Sequence, residues 1–216
     1  TLMLKNKYKA IFIDKDGTLI PDIPYNMDPS LITLQPGVAD GLRMLAQSGF
    51  RIIVVANQPG IAYGYCTLDA LERIRGTIQL LLAKEEVPLH AFYFCPHHPK
   101  GSVPEYAIQC WCRKPKPGML LQACMDLQLD IKSSWMIGDS LDDIEAGRKA
   151  GCQTILIDNG NEVEWNLTKS RSPHHTCGSV LEAANLAEPG GLQEELGDVL
   201  FLAVTQAHLA QAADTE

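Results

Sequence analysis

Short apolar runs alternate along this chain with longer amphipathic segments. Five runs rich in β-branched and aromatic residues predict buried strands, at 8–14, 50–56, 90–95, 134–138 and 154–158. Four segments with apolar residues at three- and four-residue spacing predict helices, at 38–47, 68–84, 118–127 and 142–149. This alternation predicts an α/β fold: a Rossmann-like, mostly parallel sheet with helices on both faces and ligands at the carboxyl ends of the strands.

Two segments interrupt the alternation. One is a polar loop at about 96–116, and the other is the chain from about residue 188 onward. Loops longer than about 12–15 residues without secondary structure are usually functional or disordered. In the second segment, residues 191–211 carry apolar side chains at helical spacing, which predicts an amphipathic helix packed on the core or on a partner. We therefore expect one domain at 1–187 and a helical extension at 188–216.

The chain is acidic, since its 216 residues hold 18 Lys and Arg against 26 Asp and Glu, a formal net charge of −8. This balance argues against nucleic acid or an anionic membrane as a partner, so an anionic ligand must meet a local basic patch. No stretch approaches the ~18 apolar residues of a membrane span, and the first residues lack the pattern of a secretion signal. We expect a cytoplasmic monomer.

Two acidic clusters follow predicted strands. Asp14 and Asp16 leave the first strand two residues apart, and Gly17 allows the backbone to turn there. Asp139 follows the fourth strand, and Asp143 lies near the start of the next helix. One Asp-x-Asp-Gly sequence by itself forms a simple turn as readily as a site. Two clusters at one sheet edge favour a shared cation and phosphoryl chemistry, in which one carboxylate attacks phosphorus and another protonates the leaving oxygen.

The sequences D-K-D-G-T after the first strand and G-D-S-L-D-D after the fourth resemble the first and fourth motifs of haloacid dehalogenase phosphatases. The resemblance extends over most of the chain. It implies that Asp14 is the nucleophile and Asp16 the general acid and base. It also implies that magnesium is held by Asp14, Asp139 and the backbone carbonyl of Asp16, with Asp143 as a supporting acid.

The third motif of that family is a lysine that binds the phosphoryl group, and Lys114, within C-R-K-P, matches it. The alternative is a solvated surface lysine, the usual environment of this residue type. At the second motif the family carries Thr or Ser, which donates a hydrogen bond to the phosphoryl group, but this chain has Ala56 followed by Asn57. Loss of one such donor commonly costs about 10²–10³ in rate. We therefore expect that Asn57 and backbone amides replace it or that the reaction is slower.

The polar loop contains four candidate metal ligands within eighteen residues: Cys95, His97, Cys110 and Cys112. Three thiolates and one imidazole are enough for a closed tetrahedral zinc site. A closed site has no position for water, so this zinc would be structural and would stabilise a loop with little apolar core. His98 is an alternative to His97, because spacing does not separate them. Packing in the interior is expected for the other cysteines, Cys66, Cys124, Cys152 and Cys177.

This insert resembles that of two branches of the family, the heptose-bisphosphate phosphatases and the histidinol phosphatases. The stretches N-Q-P-G-I-A and C-P-H-H-P-K-G-S-V are more similar to the heptose branch, whereas Tyr63 and Ser140 replace an Arg and a Lys that are frequent there. The resemblance implies an active site covered by loops instead of a cap domain. It also implies that Asn57 lies near the transferred group and that Arg113 contacts the sugar or its remote phosphate, for which a planar guanidinium is suited.

The resemblance to the heptose branch implies a phosphatase that removes the 7-phosphate of D-glycero-D-manno-heptose 1,7-bisphosphate, a small phosphorylated sugar of the route to heptose-containing lipopolysaccharide. Hydrolysis of histidinol phosphate is the alternative within the same family. A third hypothesis is a catalytically weak binding protein of the same fold, because Ala56 lacks the usual hydroxyl. The retained acids and Lys114 argue against that hypothesis, because buried like charges are costly to keep for stability alone.

Overall fold

A parallel sheet forms the centre of the protein in its computed structural model, which describes residues 7–160 and 165–188. Its strands are β1 Ala10–Ile13, β2 Arg51–Asn57, β3 Leu89–Cys95, β4 Trp135–Gly138, β5 Gln153–Ile157 and β6 His175–Cys177. Their order across the sheet is β3-β2-β1-β4-β5-β6, and every neighbouring pair is parallel. The predicted mostly parallel α/β architecture is confirmed, with a sixth strand in addition to the five that were expected.

The described residues form six α-helices: α1 Val38–Gln47, α2 Pro59–Ala62, α3 Leu68–Lys84, α4 Gly118–Leu127, α5 Leu141–Ala150 and α6 Val180–Ala187. The bounds of α1, α3 and α4 are the predicted ones, and α5 is one residue longer at each end. Sequence analysis missed β6, α2 and α6. These elements are short, so their local pattern is weak, and β6 and α6 are stabilised by pairing with β5 and by packing on α1. The helix predicted at 191–211 lies outside the described residues.

The alternation of side chains along β1 divides the core into two layers. Ile11 and Ile13 lie in the layer beneath α1, α3 and α6, together with Leu42. Ala10 and Phe12 lie in the opposite layer, beneath α4 and α5. The sheet is buried on both faces, which explains why its central strands are continuous apolar runs in the sequence. Within the described ranges, no insertion forms a second domain over the sheet.

The strand order changes direction between β1 and β4, which are neighbours in the sheet although β2 and β3 separate them in the chain. In open parallel sheets, ligands bind outside the carboxyl ends of the strands at such a switch point. The two acidic motifs follow β1 and β4, so the topology places them together at this position. None of the helices in the described part of the chain has the length and apolar character needed to cross a membrane.

Candidate active site

Asp14 and Asp139 meet at the carboxyl end of the sheet. Asp14 follows β1, and its backbone N–H donates to the carbonyl of Ile137 in β4 at 3.0 Å. Asp139 is buried, and its Oδ1 accepts a hydrogen bond from the Thr18 hydroxyl at 2.9 Å. One carboxylate oxygen from each of Asp14, Asp139 and Asp143 lies within 4.8 Å of the other two. The structure therefore brings these three acids into one cluster.

The ammonium group of Lys114 lies against this cluster. Its Nζ is 2.6 Å from Oδ1 of Asp14 and 2.6 Å from Oδ1 of Asp143, and it donates to the carbonyl of Val55 at 2.9 Å. Lys114 is only 3% exposed, so it is not the solvated surface lysine considered above. Burial by itself lowers the pKa of Lys114, but the charges of Asp14 and Asp143 outweigh this effect and raise it. Lys114 is therefore a permanent cation.

The ionised form of Asp14 is destabilised by its surroundings, and Lys114 offsets this effect only in part. Burial raises the pKa of the Asp14 carboxyl well above its ordinary value, and the nearby charges of Asp143 and Asp139 raise it further. The charge of Lys114 lowers the pKa of Asp14 but does not cancel these effects. Three carboxylates thus face one ammonium group in a region with little solvent.

Asp143 is oriented by the first turn of α5. Its Oδ2 accepts hydrogen bonds from the Ser140 hydroxyl at 2.7 Å and from the Ser140 N–H at 3.2 Å, and Ser140 in turn caps the helix. A Cβ at position 138 would lie 2.4 Å from the Asp143 side chain, so Gly138 is required for this close approach. The local sequence therefore directs the other oxygen of Asp143 towards Lys114.

Asp16 lies beside the buried charges in an open cleft. Its Oδ1 is 2.5 Å from Nζ of Lys15, and its Oδ2 accepts a hydrogen bond from Nε2 of Gln58 at 3.0 Å. The side chain of Asp16 is 34% exposed, whereas Lys15 and Gln58 are buried. The cleft has a volume of about 320 Å³ and is also lined by Tyr25. Asp16 is thus more accessible to a ligand than the three clustered acids.

Asn57 contacts the backbone of Lys114. Its Nδ2 donates to the Lys114 carbonyl at 3.1 Å, and its Oδ1 accepts a hydrogen bond from the Lys114 N–H at 3.0 Å. The preceding residue, Ala56, is completely buried. Arg113, the other residue predicted to bind substrate, is half-buried and donates to the carbonyl of His97 at 3.5 Å. Both polar atoms of the Asn57 side chain therefore hydrogen-bond to backbone groups of Lys114.

A second cluster of ligand atoms lies where β3 ends. One atom from each of four residues lies within 4.8 Å of the others: Cys95, His97, Cys110 and Cys112. Sγ of Cys95 is 3.5 Å from Sγ of Cys110, and Nδ1 of His97 is 3.5 Å from Sγ of Cys112. In a tetrahedral site with Zn–S bonds of about 2.3 Å, sulfur atoms are about 3.8 Å apart. The donor set and its spacing therefore fit zinc.

The two adjacent histidines have different surroundings. His97 faces the cysteine cluster through Nδ1, whereas Nδ1 of His98 is 2.9 Å from the Tyr63 hydroxyl. The geometry therefore favours His97 as the fourth ligand, a choice that spacing alone left open. The hydrogen bond between Cys95 and Cys112 lowers the pKa of the Cys112 thiol and raises that of the Cys95 thiol. The thiolate is the form that binds metal, and this contact favours it at Cys112.

The acidic cluster fits magnesium in its donor chemistry. Magnesium prefers oxygen ligands and is usually held by one or two carboxylates. Asp14 and Asp139 supply such oxygens, while Asp143 is fully buried behind them and paired with Lys114. Because three carboxylates outnumber one ammonium group, the cluster also has the negative charge that a divalent cation would neutralise.

Sequence analysis did not single out three polar residues of this site, namely Lys15, Thr18 and Gln58. Each is buried, and each hydrogen-bonds to a motif acid, Asp16 or Asp139. Their positions in the sequence could have indicated this role, because each lies close to the end of an apolar strand. A polar residue that is buried there must find a hydrogen-bond partner.

Comparison with known proteins points to one family. A family model described as HAD-hydrolase-like matches residues 111–183. The D-glycero-beta-D-manno-heptose-1,7-bisphosphate 7-phosphatase of Yersinia pestis is 41% identical over 155 residues, which are 71% of this chain and 82% of that protein. The protein of the same name from Haemophilus influenzae is 41% identical over 72% of this chain and 84% of its own length.

Solved structures of two phosphatases are similar to this chain. A putative HAD-like phosphatase from Mesorhizobium loti superposes with a TM-score of 0.73 and 32% identity, covering 86% of this chain and 90% of that one. The D,D-heptose 1,7-bisphosphate phosphatase of B. bronchiseptica, complexed with magnesium and phosphate, gives a TM-score of 0.68 and 26% identity, covering 82% of this chain and 97% of that one. The parallel sheet and the acid cluster at its switch point thus define an α/β protein with a candidate phosphatase site. The chain belongs to the haloacid dehalogenase family of phosphatases.

Proposed function

We propose that this chain is a magnesium-dependent phosphatase that removes the 7-phosphate of D-glycero-D-manno-heptose 1,7-bisphosphate. The observation that carries the proposal is the buried ammonium group of Lys114, which lies 2.6 Å from both Asp14 and Asp143 at the switch point of the sheet. The relatives that are 41% identical over most of the chain carry this activity in their names, which supports the choice of sugar.

In the proposed reaction, a carboxylate oxygen of Asp14 attacks phosphorus and the bond to the sugar oxygen breaks. Asp16 gives its proton to that oxygen, so the sugar leaves as an alcohol. Asp16 then takes a proton from a water molecule, which attacks the aspartyl phosphate and releases inorganic phosphate with Asp14 restored. The accessible position of Asp16 in the cleft supports its role in both proton transfers.

Lys114 supplies fixed positive charge for the phosphoryl oxygens in this scheme. Because its pKa is raised by Asp14 and Asp143, it is protonated before the substrate arrives. Its carboxylate partners hold it in place before substrate arrives, so little reorganisation is needed during the reaction. We further propose that Arg113, which directly follows Cys112, contacts the sugar or its remaining phosphate.

Two metals belong to the proposal. Magnesium would be held by Asp14, Asp139 and the backbone carbonyl of Asp16, and when bound it would neutralise charge between the carboxylates and the phosphate. Zinc would be held by the cysteine and histidine cluster as a structural ion. That cluster offers four protein donor groups, the number that is typical of closed structural sites.

The test is phosphate release with magnesium from three substrates measured side by side: heptose 1,7-bisphosphate, histidinol phosphate and fructose 1,6-bisphosphate. We expect kcat/KM for the heptose to exceed the other two by at least about tenfold. A preference for histidinol phosphate would overturn the proposed substrate but not the proposed mechanism. No turnover of any substrate by folded, zinc-loaded protein would overturn the enzyme proposal itself.

A further inference from the structure

We propose that Asn57 is a positioning residue that holds the backbone of Lys114, so that the lysine ammonium stays between Asp14 and Asp143. This inference rests on the proposed function, because it assigns Asn57 a role through the lysine of that reaction. It differs from the role expected from the sequence, which was direct contact with the transferred group.

The contact between Asn57 and Lys114 is reciprocal. The amide group of Asn57 donates to the Lys114 carbonyl at 3.1 Å and accepts from the Lys114 N–H at 3.0 Å. A single side chain thus satisfies both backbone polar groups of the lysine, much as a neighbouring strand would. Lys114 itself lies in a turn outside any strand, where no ladder supplies these bonds.

The side chain of Lys114 is held by the same strand. Its Nζ donates to the carbonyl of Val55 at 2.9 Å, two residues before Asn57 in β2. The lysine is therefore fixed at its backbone by Asn57 and at its tip by Val55. With both ends attached to a central strand, the ammonium group has little freedom to leave the carboxylates, and such fixed geometry lowers the cost of reaching the transition state.

The two hydrogen bonds between Asn57 and Lys114 form a clamp that also joins the polar loop at 96–116 to the sheet. Lys114 comes two residues after Cys112, and Asn57 pairs in register with Cys95 in β3. In addition, the N–H of Gln58 donates to the Cys95 carbonyl at 2.8 Å. Asn57 thus lies at the junction between the cysteine cluster and the acid cluster, where a small shift of the loop would move the lysine.

The first experiment measures the clamp without any activity. Backbone amide exchange of the 113–118 segment is compared in zinc-loaded wild type, in Asn57→Ala, and in the control Asn185→Ala, which removes an exposed asparagine that donates to the Leu181 carbonyl on α6. We expect exchange at Lys114 to be at least about tenfold faster in Asn57→Ala only. Unchanged exchange at Lys114 would overturn the clamp, whether or not the protein is a phosphatase.

The second experiment asks whether Asn57 acts through Lys114. Rates are measured for Asn57→Ala, Lys114→Met and the double variant. A positioning role predicts that Asn57→Ala lowers kcat by about 10–100-fold with KM changed by less than about threefold, and that it has almost no further effect when Lys114 is already Met. An equal fold-loss in both backgrounds would overturn the inference, because a direct substrate contact or general destabilisation acts independently of the lysine side chain.

The two experiments separate this inference from the proposed function. If wild type hydrolyses none of the three substrates, the proposed function fails, and the exchange measurement still decides whether the clamp exists. If wild type is active and Asn57→Ala retains its kcat within about twofold, the positioning role fails while the phosphatase remains.

Discussion

Nζ of Lys114 lies 2.6 Å from Oδ1 of Asp143, and the two side chains are 3% and 0% exposed. Burying such a pair costs desolvation energy, and loss of the Asp143 charge would leave Lys114 with Asp14 as its ion-pair partner. The pair therefore makes the site sensitive to changes at Asp143, a residue that no substrate can reach directly.

Replacing Asp143 by Asn tests this pair. The amide would present an N–H donor to the ammonium group or lose its bonds from Ser140, so we expect unfolding to be about 2–3 kcal/mol easier and kcat to fall by at least about tenfold. The control is Asp142→Asn in the same helical turn, where the acid is partly exposed and 3.4 Å from Arg171. Chemical denaturation should show a larger loss of unfolding free energy for Asp143→Asn than for Asp142→Asn. Equal losses would contradict a special role for Asp143.

Replacing Asp14 by Asn should abolish phosphate release, because the nucleophilic oxygen is lost. The fold should be retained, because Lys114 keeps its ion pair with Asp143. Circular dichroism and phosphate release check both parts. Residual activity near that of wild type would exclude Asp14 as the nucleophile.

The stability of the same variant relative to wild type should depend on pH in metal-free protein. Because burial and neighbouring acids raise the pKa of Asp14, the folded state binds this proton more tightly than the unfolded state. The contribution of Asp14 to the free energy of unfolding therefore falls as pH rises from its pKa in the unfolded state, about 3.9, through its pKa in the folded state. Asp14→Asn lacks this loss, so its melting temperature relative to wild type should increase as pH rises from about 4 towards neutral. A difference that does not change with pH would contradict the prediction.

Replacing Cys112 by Ser should release zinc and lower activity together. None of residues 96–111 is buried, and Lys114 comes two residues after Cys112, so we expect at least about 3 kcal/mol of lost stability. Elemental analysis and thermal unfolding check this, with Cys124→Ser as the control because Cys124 is half-buried outside the cluster. Full zinc content in Cys112→Ser would remove Cys112 from the ligand set.

Introducing Ser at position 56 tests the departure from the family pattern. The side chain of Asn57 is occupied by the Lys114 backbone, so a hydroxyl at position 56 would add a donor that the site lacks. We expect Ala56→Ser to raise kcat by about tenfold without a change in zinc content. An unchanged or lower kcat in a folded protein would indicate that backbone amides already fill this role, or that the buried position does not admit the hydroxyl.

Much of the fold could be predicted from the sequence, because the local pattern of apolar residues specifies the same elements that packing stabilises. The helix bounds of α1, α3 and α4 were predicted to the residue, since each has a clear apolar face. The strand β6 and the helix α6 were not predicted, since their stability comes from β5 and α1 and not from local propensity. The positions that remain predictions are the domain boundary at 187 and the helix at 191–211, which lies outside the described residues.

The sequence by itself determined the chemistry available: acids two residues apart after a buried strand, a second acidic motif after another, and three cysteines with a histidine at metal-ligand spacing. These are local features, and short-range spacing is sufficient to specify them. Only the tertiary structure decided which groups meet, since Lys114 and Asp14 are 100 residues apart in the chain and Asn57 is 57 residues from Lys114. It also distinguished His97 from His98, because two adjacent side chains differ only in the surroundings that folding gives them.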